Sequence, residues 1–164
     1  MGLFLVLLGG EMLNTTEPRT LDERAAFIQA LDFGLMKRKL MDPEEGQGWT
    51  AEEADTAEEA NKGFLIVSLK NPEAKVVPCA ATDHFWHQHI LDTRRYPKDC
   101  EAIFGQFFHH DPYFGMQGDL AELEVAASIS VALLRKEFGD NVPLGTLAGC
   151  GGTTSRCRNC GGSH

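Results

Sequence analysis

Residues 83–92, DHFWHQHILD, gather three of the chain's six histidines, two aspartates and a tryptophan. More donors follow: Cys100, then His109 and His110 beside Asp111. Imidazole and thiolate suit zinc and iron, and an ion needs three or four donors converging on one point. His87, His89, Cys100, His109 and His110 are therefore the candidate ligands. Asp83, Asp92 and Asp111 are the carboxylates available to orient the imidazoles from behind.

Which donors converge depends on the backbone. A helical 83–91 puts Asp83, His84 and His87 on one face and turns His89 away. An extended one points His87 and His89 to the same side. Each donor also has a structural reading. Cys100 sits at an apolar helix position, where cysteine serves as a small buried hydrophobe. His109 and His110 would suit the negative end of a helix dipole. Trp86 and Phe85 read as core. The tail offers a separate set. CGGTTSRCRNCGGSH holds Cys150, Cys157, Cys160 and His164, half of a zinc knuckle by spacing and suited to zinc or copper(I). A plain glycine-rich tail, or a processed peptide of the kind some helical precursors carry, would look the same.

Helices must position these groups. TLDE and TAEE are capping boxes, with Thr20 answered by Glu23 and Thr50 by Glu53. From the first, Phe27, Ile28, Leu31 and Leu35 recur at helical spacing, so one helix is expected to run to about Met41. From the second, Ala54, Ala57, Phe64, Leu65 and Leu69 predict a helix to about Lys70, closed by Asn71 and Pro72. Pro97 suits a helix start. Cys100, Ile103, Phe104, Phe107 and Phe108 continue an amphipathic pattern up to the histidine pair. Leu120, Leu123, Ala127, Val131, Leu134 and Phe138 mark the last helix. No period-2 alternation predicts a sheet. The expected fold is all-α: a compact bundle of about five helices over 18–142, an N-terminal extension over 1–17, and a flexible Gly/Cys-rich tail over 143–164.

The segment DHFWHQHILDTRRYPKDCEAIFGQFFHHDPYFGM resembles the glycine-rich domain-containing protein-like family. The resemblance rests on Asp83, Trp86, His87, His89, Tyr96, Asp99, Cys100, Phe104, Gly105 and His109 or His110, and runs closely over about 58–118. It implies a helical lead-in before the motif and agrees with a short glycine-rich extension. It assigns no catalytic residue. Where the family often carries a bulky apolar residue after the histidine pair, this chain has Asp111.

Composition narrows the partners. The 164 residues carry a net charge of −9. Eight carboxylates with no Lys or Arg fall within 42–61, leaving the remainder near neutral. Such a chain lacks the basic stripe that nucleic-acid backbones require. The acidic run reads as a solvated surface, and 42–59 or the tail as the place for a protein partner. The apolar run 3–8 is too short to span a membrane and lacks the basic flank of a secretory signal. Met12 offers an alternative start. Five cysteines, an odd number, do not read as a disulfide framework, so a cytoplasmic location is expected.

Three function classes remain open at this point. The first is a transition-metal protein using the central His/Cys cluster with zinc or iron. The second is an interaction module in which W-H-x-H is a packing signature. The third is a metal-dependent hydrolase or oxygenase. The sequence has no H-E-x-x-H, nucleophile elbow or phosphate loop to support the last.

Overall fold

A computed structural model of the chain describes residues 19–143. The tail donors Cys150, Cys157, Cys160 and His164 and the extension 1–17 lie outside the described residues. Those described form six α-helices and a short 3-10 turn, with no strand among them: α1 Leu21–Gln29, α2 Gly34–Met41, α3 Ala51–Lys70, α4 Ala80–Leu91, α5 Tyr96–Phe104 and α6 Leu120–Phe138. None of these helices is long and apolar enough to cross a membrane.

Both capping boxes form. Glu23 N donates to Thr20 Oγ1 at 3.2 Å and Thr20 N to Glu23 Oε2 at 2.7 Å; Thr50 and Glu53 repeat the exchange at 3.2 and 2.8 Å. Each box satisfies two otherwise orphaned amides, and its threonine is worth about 1 kcal/mol.

The single helix expected over 21–41 is broken at 30–33. Leu31 and Phe33 are buried, and the side chain of Asp32 accepts from Gly34 N at 2.9 Å to restart the chain as α2. The restart changes the register. Met36 and Leu40 face the core, whereas Leu35 is 72% exposed.

The α3 helix is the spine. Every residue from 61 to 69 is buried, as befits a helix surrounded on all sides. It packs against α1, α2, α4 and α6, while α5 closes on α1 and α4. Ile28, Phe33, Leu65, Phe85, Tyr96 and Ile103 fill the centre. One acidic residue departs from the expected solvated surface. Glu58 is buried and meets Lys37 at 2.6 Å and Lys62 at 2.7 Å. Burial pushes its carboxyl up, but the two ammonium groups outweigh burial and hold it below the usual glutamate range.

The loop between α2 and α3 is drawn tight at Gly46, whose N–H donates to Asp42 O at 2.9 Å. A Cβ there would lie 1.9 Å from Lys39 O and 2.7 Å from Asp42 O, both backbone atoms. Gly46→Ala is therefore expected to cost at least about 2 kcal/mol, because the backbone must shift to admit it. A urea titration against the parent protein measures the loss.

Candidate metal centre

The histidine segment is helical throughout, within α4. Its two W-H-x-H imidazoles consequently point to opposite sides. His87 faces outward with Asp83 one turn before it, Nδ1 to Oδ2 at 3.6 Å. His89 faces the core, 1% exposed.

The outward cluster is completed from the loop after α5. That helix ends at Phe104 on Gly105, whose φ of +71° suits glycine and turns the chain back. Phe107 and Phe108 therefore lie outside the helix, and the histidine pair does not cap it. Phe108 stacks on Phe104 at 4.4 Å and packs against Trp86 at 5.1 Å. Trp86 Nε1 donates to the Tyr96 hydroxyl at 3.0 Å, and that hydroxyl donates to Phe108 O. This chain of bonds holds the loop two residues before His110. His110 then reaches α4, with Nε2 3.0 Å from Asp83 Oδ1, its ring 4.5 Å from that of His87 and 4.7 Å from that of Trp86.

Asp83, His87 and His110 thus bring one ligand atom each to within 4.8 Å of one another. Asp83 stands in the group itself and not behind it. Zinc bonds of about 2.0–2.1 Å put tetrahedral ligands roughly 3.3 Å apart. The Asp83 contacts of 3.0 and 3.6 Å lie near that value, and the three ligand atoms as a group lie within 4.8 Å, so holding an ion would draw the side chains closer together. Without an ion, the same contacts form a carboxylate–imidazole network joining the loop to α4.

The other expected ligands lie elsewhere. His89 Nε2 meets Asp99 Oδ2 at 2.8 Å, with Arg95 Nε on the same oxygen at 3.0 Å. Burial pushes Asp99 up, but His89 and Arg95 outweigh it and keep the carboxyl below the usual aspartate range. An ionised Asp99 can only accept, so His89 Nε2 carries the proton of this bond. Its Nδ1 is buried with no hydrogen-bond partner. Cys100 is buried between Tyr96 and the Phe108 backbone, and burial raises its thiol above the ordinary value, which opposes thiolate ligation. His109 is exposed, its ring 4.8 Å from Phe107. Asp92 accepts from Arg95 N at 3.2 Å in the turn before α5. Asp111 accepts from Tyr113 N at 3.2 Å and faces Lys75 at 3.9 Å. His84 lies beside Trp49, ring centroids 6.4 Å apart.

The hydroxyl of Tyr96, a motif residue with no ligand role, holds the loop that carries His110. Burial also pushes its phenol far above the ordinary value, so it stays a donor. Tyr96→Phe is expected to leave Trp86 Nε1 and Phe108 O unpaired, costing about 1–3 kcal/mol. If the loop is held this way, the substitution also weakens metal uptake, although Tyr96 is not a ligand. Calorimetric metal titration of the folded variant separates the two effects.

A cleft of about 440 Å³ opens on the cluster, lined by Asp83 and His110 among others. An ion held by three side chains keeps positions for water or a small molecule. It could then lower the pKa of a bound water or polarise a bound oxygen. A family model described as UCP032817-like matches residues 23–126. That description names no relation to glycine-rich domain proteins. No curated protein and no solved structure matches the chain.

Proposed function

We propose that this chain, which belongs to the UCP032817-like family, binds a divalent transition metal through Asp83, His87 and His110. The observation that carries this reading is the meeting of the three donors from α4 and the loop after α5, within 4.8 Å, two of which, Asp83 and His110, also line a cleft. Two imidazoles and one carboxylate form a donor set used by catalytic zinc and by non-haem iron(II), so zinc and iron are the expected ions. The kinship with glycine-rich domain-containing proteins belongs to the same proposal. Its signature residues divide between the two sides of α4, where His87 serves the centre and Trp86, His89, Tyr96, Asp99 and Cys100 tie α4 to α5.

Elemental analysis of protein purified without a histidine tag tests the reading. One zinc or iron per chain is expected, and His110→Ala should lose it. Absence of metal after incubation with either ion and dialysis would refute it. The tail cysteines are kept out of the count by repeating the analysis with Cys150, Cys157 and Cys160 replaced by serine.

The interaction-module reading draws support from the inward half of the motif, which is a packed signature. A partner on the acidic segment 42–59 would meet less free charge than the sequence suggests. Glu58 is buried on Lys37 and Lys62, Asp55 also pairs with Lys37, and Glu45 pairs with Lys39. A metal-dependent reaction would use the open ligand positions described above.

A further inference from the structure

The last helix, α6, buries one face and leaves another apolar face uncovered. Ala126, Ser130 and Leu134 are its buried residues, and it packs on α3. Ser130 Oγ accepts from Val77 N at 2.8 Å, which ties the inner face to the connector before α4. Val125 and Ile129, one turn apart, are 60% and 43% exposed. Together with Ala121 and Phe114 they line an open groove. Leu120 and Met116, close by in the chain, are exposed as well. A contiguous apolar surface of this kind marks an interaction site.

Charge identifies the occupant. Glu122 lies seven residues before Ile129 and Lys136 seven residues after it, so both share its face, two turns away in either direction. The ion pair of α6 with Lys70 uses Glu137 and leaves Glu122 and Lys136 exposed. Along one flank, Glu124 and Arg135 are placed almost symmetrically about the same midpoint. The outer face is therefore acidic at its N-terminal end, apolar in the middle and basic at its C-terminal end. Such a stripe is complementary to itself when turned end for end. In a two-fold pair, residue i of one copy meets residue j of the other and j meets i. With the axis at Ile129, Glu122 meets Lys136 of the second copy twice over. Glu124 and Arg135 fall opposite each other, and Ile129 meets Ile129. A parallel pairing would instead set like charges together, which is unfavourable.

We infer that the outer face of α6 docks on a second copy of this chain as an antiparallel helix pair. Asp83, His87 and His110 do not line this groove, so the inference is independent of the metal reading.

Sedimentation equilibrium of the full chain, with its cysteines kept reduced, tests it. A monomer–dimer equilibrium with a dissociation constant of roughly 1–100 µM is expected, because one helix pair makes a small interface. Glu122→Lys and Lys136→Glu each turn two attractive pairs into two repulsive ones, and each should weaken the dimer at least about tenfold at low salt. Mixing the two variants should restore association, since every Lys then faces a Glu. Combining both changes in one chain should restore it too. Ile129→Asp, at the two-fold axis, should leave the chain monomeric with unchanged helical circular dichroism. A parent chain that stays monomeric overturns the inference, whether residues 3–8 of the same chain or another protein covers the face. So does a dimer that neither charge reversal weakens, or one that mixing fails to restore.

Discussion

His89→Ala is expected to destabilise the protein by about 3 kcal/mol while leaving its metal content unchanged. The imidazole is 1% exposed and lies between Phe33 and Tyr96, with ring centroids at 5.1 and 4.9 Å. Removing it opens a cavity and takes away one of the two partners of Asp99 Oδ2. Breaking a buried pair costs about 3–5 kcal/mol, and Arg95, still 3.0 Å from Asp99, keeps the loss at the lower end. For a domain of this size the melting temperature should fall by roughly 10 °C.

The same pair shapes the acid limb of stability. The carboxyl of Asp99 is held below its ordinary value in the folded state, so it binds protons more readily when unfolded. Its contribution is fully present above about pH 4, where unfolded aspartate is ionised, and drains away as pH falls through the lowered native value. His89→Ala should therefore flatten the stability curve below about pH 4. Urea titrations at several pH values measure both effects. A variant as stable as the parent would show that the inward histidine is not structural.

The opposite pattern is expected on the outer face of α4. Asp83→Ala and His110→Ala should each weaken metal affinity by more than about 100-fold, since even the loss of an outer partner typically costs 10–100-fold. Asp83 touches both imidazoles, so its removal should be the most damaging. His87 is the most exposed of the three, its side chain at 46%, and its ring is the least constrained by neighbours. His87→Ala should therefore show the smallest loss. None of the three substitutions should approach the destabilisation caused by His89→Ala, because their groups are partly solvated. Competition titration against a chelator of known affinity gives the order.

Local features of the fold were legible in the sequence. Both capping boxes are defined over four residues, and Thr20, Glu23, Thr50 and Glu53 do what their types and spacing require. The end of α3 was marked by Asn71 with Pro72. Two boundaries were hidden by apolar residues that continue a helical rhythm for tertiary reasons. Leu31 and Phe33 are apolar because the break they occupy is buried. Phe107 and Phe108 follow Gly105 and pack from a loop, and the glycine was the local signal that the rhythm overrode.

The site was half legible for a related reason. The donor types and the Asp83–His87 spacing could be read directly, given a helix. The selection of His110 over His109 could not, because it depends on Gly105 turning the chain and on Tyr96 holding Phe108 from the first turn of α5. Nor could the diversion of His89 into the core, since helical spacing fixes which residues share a face but not which face is buried; the burial of Cys100, by contrast, was readable from its apolar helix position. Asp99, ten residues on from His89, has no periodic relation to it that would mark the pair.

X-ray absorption of the metal-loaded chain tests the donor set most directly. With the three tail cysteines replaced by serine, zinc or iron should show only nitrogen and oxygen neighbours, near 2.0–2.1 Å for zinc, with the scattering pattern of two imidazoles. A sulfur neighbour, near 2.3 Å for zinc, would place Cys79 or Cys100 in the centre and contradict the account. So would a spectrum unchanged by His110→Ala.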